Sequence, residues 1–378
     1  MFTIKIQDFK LERFFAKYEF NVKYLLCSSD CESLTIKDLL DLEEGSEKGL
    51  KEVWLGYTES LGSPKLREEI SKLYETLSPE NIIVFSGAEE GIFVFMNVIL
   101  EPGDNIIVQY PAYQSLFEVA HALGCQTKKW IMTDENENRW NLDFNYLKEN
   151  IDNKTKAIII NSPHNPSGHL FTLQELNKII EIAKKNDLYI FSDEVYRFLE
   201  YDEKNRLPAV TDLYNKGISL GVMSKSFGLA GLRIGWIATK NKELFRQLAG
   251  FKDYTTICNS APSEFLATLA LKNKKEIISR NLNIIKSNLI YLDKFFKKYS
   301  SILTWIKPKA GSIAFPKLKV NEDIETMAIE LIEKKETLIM PSTNYDFGNK
   351  HFRIGFGRKN MVDALNKFEE YLIEKLKI

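Results

Sequence analysis

A lysine that closes a buried strand and opens a loop of small residues is the first candidate for chemistry in this chain. Lys225 stands in Ser224-Lys225-Ser226-Phe227-Gly228-Leu229-Ala230-Gly231-Leu232-Arg233-Ile234-Gly235, directly after the apolar run ISLGVM at 218–223. Lysine is ordinarily a surface residue. At the carboxyl end of a parallel strand it faces the crevice where ligands bind in open α/β sheets. There its pKa can fall, and its amine can attack an aldehyde. Ser192-Asp193-Glu194-Val195-Tyr196 also follows an apolar run, LYIF at 188–191. An acid at a strand's end can hold a ring nitrogen protonated. The turn Asn161-Ser162-Pro163-His164-Asn165-Pro166-Ser167-Gly168 is fixed by two prolines and a glycine, and it presents the Asn165 amide. Ser86-Gly87-Ala88-Glu89-Glu90-Gly91 reads as a strand-to-helix turn, whose backbone N–H groups suit a phosphate. The plain alternative for each of these segments is a solvated loop or an ordinary turn.

Such residues need a frame that gathers strand ends. From about residue 80, short apolar strands alternate with amphipathic helices. Strands are expected at 82–85, 105–110, 157–160, 188–191 and 218–223, with helices at 91–100 and 112–123. The run AIII at 157–160 is unbroken and apolar, as buried parallel strands tend to be. Thr172 and Glu175 form a capping box ahead of LNKIIEIAKKN. The alternation predicts an α/β layer with a mostly parallel sheet. Upstream, Ser63-Pro64 opens the helix LREEISKLYETL. After about residue 240 the pattern changes to long helices over 241–271 and 276–299. Short strands follow near 312–316, 337–340 and 351–355, then a last helix over about 360–377. This half reads as a smaller α+β domain. The expected division is an arm over 1–48, a large domain over 49–258 and a small domain over 259–378, with the arm packed on the small domain or on a partner subunit.

Six segments, spread from 56 to 357, resemble in order the motifs of the class I/II aminotransferases. These form the aspartate aminotransferase family of pyridoxal 5′-phosphate enzymes of fold type I. The resemblance implies a three-layer α/β/α large domain plus a smaller α+β domain. It implies that Lys225 holds the cofactor as an aldimine and later shuttles the proton. Asp193 would keep the pyridine nitrogen protonated. Tyr196 and Asn165 would hydrogen-bond the ring 3-hydroxyl oxygen, and Tyr113, in Tyr110-Pro111-Ala112-Tyr113, would stack on the ring. Ser86, Gly87, Ala88, Ser224 and Arg233 would surround the phosphate, where a guanidinium gives two parallel charge-assisted hydrogen bonds. Tyr57, in Gly56-Tyr57-Thr58 ahead of Gly62 and Leu66-Arg67, would reach a neighbour's phosphate across a homodimer. Arg353, in His351-Phe352-Arg353-Ile354-Gly355, would clamp the substrate α-carboxylate beside Asn165, a task for a planar fork of donors. The implied activity moves the α-amino group of an amino acid to a 2-oxo acid.

Two features depart from the plain pattern. Val222 stands three positions before the lysine, where the family often has Ser or Gly, so a phosphate contact there is absent or replaced. SLGVMSKSFGLAGLRIGW, DCES near residue 30 and YPAYQSL also resemble the capreomycidine synthase-like subgroup. That likeness implies an alternative, cyclisation or elimination on an arginine-like amino acid. A cofactor-binding regulator is a further alternative, but the first 48 residues are few for a DNA-binding domain and are not basic.

Composition narrows the classes. The chain has 378 residues, long enough for two domains. With 51 basic and 52 acidic residues the net charge is −1, which gives no footing for nucleic acid or an anionic membrane. No apolar run approaches the ~18 residues of a membrane span. The charged N-terminus lacks the apolar core of a signal peptide, so a cytoplasmic location is expected. Cys27, Cys31, Cys125 and Cys258 lack zinc spacing, the four histidines are scattered, and no metal site is expected.

Overall fold

The computed structural model describes residues 6–134 and 139–377, so the first five residues of the expected arm lie outside it. Its centre is an eight-stranded sheet: β1 (Ile82–Phe85), β2 (Asn105–Tyr110), β3 (Gln126–Thr133), β4 (Asn141–Leu142), β5 (Thr155–Asn161), β6 (Tyr189–Asp193), β7 (Gly217–Val222) and β8 (Gly235–Thr239). The spatial order is β1-β8-β7-β6-β5-β2-β3-β4. The five strands from β7 to β3 run parallel, while β1, β8 and β4 pair antiparallel at the two edges. β1, β2, β7 and β8 are buried at every residue, because helices cover both faces. The carboxyl ends of β5, β6 and β7 therefore meet side by side, and they carry Asn161, Asp193 and Val222.

Helix α1 (Lys10–Tyr18) lies near the turn Ser342–Tyr345, and Lys10 pairs with Asp346. Helix α2 (Ala88–Ile99) springs from the end of β1, three residues earlier than the pattern suggested. Gly87 precedes it with φ +88, a conformation that side chains resist, so the chain turns into the helix there. The helix after Ser63 spans only Pro64–Ser71, and Ser63 makes no side-chain cap bond.

The expected helix over 241–271 is two helices, Lys242–Lys252 and Ala261–Lys272. Pro262 cannot continue an upstream helix but suits the first turn of a new one. The Lys252 ammonium donates to Ile257 O (2.9 Å) and Ser60 O (2.6 Å), stapling the intervening loop down. The helix Ala261–Lys272 shares a core with Leu66, Ile70, Val84 and Trp236 of the sheet lobe.

The second lobe holds a three-stranded antiparallel sheet with Phe352–Gly355 between Ile313–Ala314 and Met340–Pro341. The N-terminal segment is woven into it. Tyr24–Leu25 pairs parallel with Thr337–Leu338. Further on, Gly355 N–H donates to Leu26 O (2.7 Å) and Glu32 N–H to Gly357 O (2.8 Å). Among the described residues, no helix is long and apolar enough to cross a membrane.

Candidate active site

One cavity of about 560 Å³ opens where the ends of β5, β6 and β7 face the second lobe. Its wall includes Ala88, Tyr113, Asn165, Asp193, Tyr196, Ser224, Lys225, Arg233 and Arg353. Nine of the residues singled out by the sequence thus share one space. Ser86 and Gly87 sit directly behind Ala88 in the turn that opens α2. Tyr57 does not join them: it is 85% exposed on the outer surface.

Each group is held by its neighbours. β5 and β6 are tied at their ends: Asn161 Nδ2 donates to Asp193 O (2.8 Å), and Asn165 N–H to Asn161 Oδ1 (2.5 Å). The Asp193 carboxyl accepts one backbone bond, from Val195 N–H (3.2 Å). Burial pushes its pKa up to about 7. Burial lowers the pKa of Lys225, whose amine donates to Ser29 Oγ (2.8 Å). The Tyr196 hydroxyl is buried close to the Ser29 side chain, without a well-aligned hydrogen bond among the described residues. Arg233 adopts φ +53 and turns its guanidinium towards Gly87, where an added Cβ would lie 2.5 Å from Nη2.

Arg353 is 1% exposed and is aimed by four bonds. Nε and Nη2 donate to Cys27 O (3.2 and 3.0 Å). Nη1 donates to Tyr345 Oη (2.7 Å) and Asn165 Oδ1 (3.2 Å). All three acceptor atoms are neutral, so no carboxylate among these bonds offsets the guanidinium's charge before an anion arrives. Tyr345 is a residue that sequence reading misses, because a tyrosine in a loop without a motif carries no signal of this kind.

The lining also carries four acids. Glu12, Glu19, Asp30 and Glu89 all line the cavity. Asp30 is paired with Arg358 (3.0 Å). Glu12 accepts from Tyr113 Oη (3.0 Å) and Glu89 from Ser115 Oγ (2.5 Å), while Glu19 has no side-chain partner among the described residues. Burial raises the pKa of both Glu19 and Glu89. Glu12 and Asp30 lie where the sequence carries no motif. The path of α1 brings Glu12 to the cavity, and the pairing of segment 26–32 with the strand Phe352–Gly355 brings Asp30.

The site fits a pyridoxal phosphate. A buried carboxyl with one donor suits a protonated ring nitrogen, and the buried Tyr196 hydroxyl suits a ring oxygen. The Gly87 turn facing Arg233 is a cradle that a side chain would fill. Val222 also lines the cavity, so position 222 offers only an apolar surface.

Comparison with known proteins agrees with this geometry. The family profile "Aminotransferase class I and II" matches residues 22–367. A probable aspartate aminotransferase of Methanocaldococcus jannaschii is 29% identical over 350 residues, covering 88% of this chain and 91% of its own. The aspartate aminotransferase of Sulfurisphaera tokodaii is 26% identical over 345 residues, covering 88% and 86%. Among solved structures, a PLP-dependent aminotransferase from Streptococcus suis superposes with a TM-score of 0.92 at 31% identity, over 98% of both chains. The PLP-dependent cyclase OrfR, at 24% identity and a TM-score of 0.89 over 98% of both chains, shares the fold. The chain belongs to the class I and II aminotransferases and is a pyridoxal-phosphate-dependent enzyme that moves the amino group of an amino acid to a 2-oxo acid.

Proposed function

We propose that Lys225 is the residue that binds the cofactor covalently and then carries the proton, and that Arg353 receives the substrate α-carboxylate. The observation that carries this reading is the meeting of a buried amine, a buried carboxyl and a buried guanidinium in one cavity. The bound cofactor supplies an electron sink for the charge that develops at the substrate α-carbon. The protein's residues do the rest. Arg353, whose Nη2 keeps one N–H outside the four bonds above, orients the carboxylate, and in doing so fixes which α-bond faces the lysine. Lys225, whose pKa burial lowers, takes the α-proton as a general base and returns it at the neighbouring carbon. Asp193 holds the ring nitrogen's proton, Asn165 and Tyr196 donate to the ring oxygen, and Tyr113 covers one face of the ring. The Ala88 backbone N–H, with Ser86, Ser224 and Arg233, binds the phosphate; the Gly87 N–H donates to Phe85 O (2.9 Å), so Gly87 contributes the open turn rather than a donor.

The same reading has the enzyme work as a homodimer, with Tyr57 completing the neighbour's phosphate site. The large lobe runs from 49 to about 273, because the helix Ala261–Lys272 packs in its core. All four cysteines are free thiols, which supports a cytoplasmic location. Recovery of the protein in another cell fraction would count against that location.

A second reading concerns the amino donor. Glu12, Glu19 and Glu89 form no ion pair among the described residues, although they share the cavity. An aspartate side chain would be repelled there, whereas an arginine-like cation would be attracted. This favours a cationic donor, with either amino transfer or side-chain cyclisation as the outcome.

The experiment mixes cofactor-loaded protein with single amino acids, without oxo acid, and follows its absorbance and products. Loss of the ~420 nm band with one equivalent of oxo acid supports amino transfer and names the donor. A cyclised or unsaturated product from L-arginine selects the other outcome. A protein in which borohydride leaves Lys225 unlabelled contradicts the whole reading.

A further inference from the structure

The segment 26–32 touches both working cations of the cavity. Cys27 O holds the Arg353 guanidinium, and two residues later Ser29 Oγ accepts from the Lys225 amine. This segment is not a free loop. Gly355 N–H donates to Leu26 O (2.7 Å) and Glu32 N–H to Gly357 O (2.8 Å), so it runs alongside the strand that carries Arg353. Ser312 Oγ donates to Ser29 O (2.8 Å). Arg358 grips both carboxylate oxygens of Asp30 (3.1 and 3.0 Å), and Arg280 Nη1 donates to Glu32 O (2.7 Å). The approach is so close that a Cβ on Gly355 would lie 1.7 Å from Ser28 O, and one on Gly357 2.4 Å from Asp30 O. Ser29 is therefore a fixed point of the second lobe. Lys225 belongs to the sheet lobe, on the loop after β7. Their bond crosses the cleft.

Once a substrate has taken its place on the cofactor, the lysine amine is free to make this bond. We propose that Ser29 is a positioning residue for proton transfer: its hydroxyl receives the released Lys225 amine and keeps the nitrogen's lone pair turned to the substrate α-carbon. In the step itself, the Cα–H bond breaks and its electron pair stays with carbon. A new N–H bond forms on Lys225, which becomes an ammonium. Ser29 Oγ accepts an N–H before and after the step, and more strongly afterwards because the donor is then charged. The bond thus favours the product of proton transfer, and it removes rotamer freedom from a four-carbon chain that must point at one atom. Charged groups also face Lys225: Asp193 from β6, Asp30 and Arg353 from the second lobe, Glu12 from α1 and Glu19 at its end. Ser29 acts at hydrogen-bond range within that field.

This inference rests on the reading of Lys225 as proton carrier, and the test separates the two. In cofactor-loaded protein, the single-turnover reaction is followed with L-aspartate or L-arginine, whichever reacts faster, and with its 2-deuterio form. Ser29→Ala is expected to slow this step about 10-fold or more, the scale of a hydrogen bond to a charged group. The deuterium effect should rise, and the amino-acid concentration for half-maximal rate should stay within about twofold, because Arg353 is untouched. Ser29→Thr, which keeps the hydroxyl, is expected to recover most of the rate.

In cofactor-free protein, acetylation of Lys225 is measured against pH by mass spectrometry. Ser29→Ala removes an acceptor that favours the ammonium, so the midpoint should fall by about one unit. Wild-type turnover, wild-type isotope effect and an unmoved midpoint in Ser29→Ala would overturn the proposal. If the wild type itself transfers no amino group, the functional reading fails, and the acetylation midpoints then decide Ser29's bond by themselves.

Discussion

The Asp193 carboxyl is buried with a single backbone donor, so the cofactor-free protein holds it in its neutral form more easily than water does. Its folded pKa, about 7, lies above the ordinary 3.8. Between those values the folded state binds more protons than the unfolded chain, so stability from this group is full below about pH 4 and is lost as pH rises through 7. Asp193→Asn removes the effect. In cofactor-free protein, the unfolding free energy of this variant relative to wild type should grow from near zero at pH 4 to as much as about 4 kcal/mol at pH 8. Urea unfolding at both pH values measures it, and parallel curves for the two proteins would refute it. In the loaded enzyme the same variant should lose activity at all pH values, since an amide does not hold the ring proton.

Arg353 gives a second prediction at this scale. Lysine in its place keeps a charge but loses the planar fork. Arg353→Lys is expected to raise KM for the amino acid about 10-fold to 100-fold, with kcat changed less. Steady-state kinetics check this, and an unchanged KM would remove Arg353 from the carboxylate site. Lys225 and Asp193 stand out in the sequence as charged residues at the ends of apolar strands, while their roles, and that of Arg353, are what the family resemblance implies. Ser29, Tyr345 and Glu19 do not stand out. A hydroxyl or a carboxylate in an irregular segment looks the same whether it faces water or a cavity. Ser29 reaches the cavity through backbone pairing between residues more than 300 positions apart, Tyr345 through its turn beside Arg353, and Glu19 through the end of α1.

The strand-to-helix turn at Gly87 shows what an element contributes. β1 ends, the chain turns at φ +88, and α2 starts with its backbone N–H groups facing the cavity. Glu90 closes the turn from behind, accepting from Ser86 N–H (2.5 Å) and from the Thr256 hydroxyl (2.7 Å). Gly87→Ala adds both backbone strain and a Cβ within 2.5 Å of Arg233 Nη2. Its expected effect is at least about 10-fold weaker cofactor binding, with kcat at saturating cofactor much less affected. Titration of cofactor-free protein measures this, and wild-type affinity would show that the turn does not hold the phosphate. The buried parallel strands were legible because apolar runs bounded by turns leave few alternatives. β3 was not, since QTKKWIMT is only half buried and its polar face mimics a loop. The break between Lys252 and Ala261 was hidden too, because helical spacing resumes after it and the staple, Lys252, lies inside the run.

At the scale of the molecule, the surface around Tyr57 is the feature that a single chain leaves unexplained. Trp54, Leu55 and Tyr57 are 78%, 79% and 85% exposed, and Tyr254 is 91% exposed. They form one surface rather than scattered residues. Thr58 Oγ1 donates to Asn259 O (3.0 Å), and Lys252 joins Ser60 O to Ile257 O. The loop 253–259 is in turn fastened to the phosphate turn through Thr255, Thr256 and Glu90. A contiguous apolar patch tied rigidly to the active-site turn is what a second copy of the chain would cover. A two-fold interface there would place each Tyr57 on the other subunit. Trp54→Asp combined with Tyr254→Asp should therefore give monomers by light scattering, and these should bind cofactor at least about 10-fold more weakly than wild type. Tyr57→Phe removes one hydroxyl and little packing, so it should leave the dimer intact and weaken only the cofactor. Monomeric wild type at micromolar concentration with full cofactor occupancy would refute the shared site. A dimer unaffected by the double substitution would move the interface elsewhere.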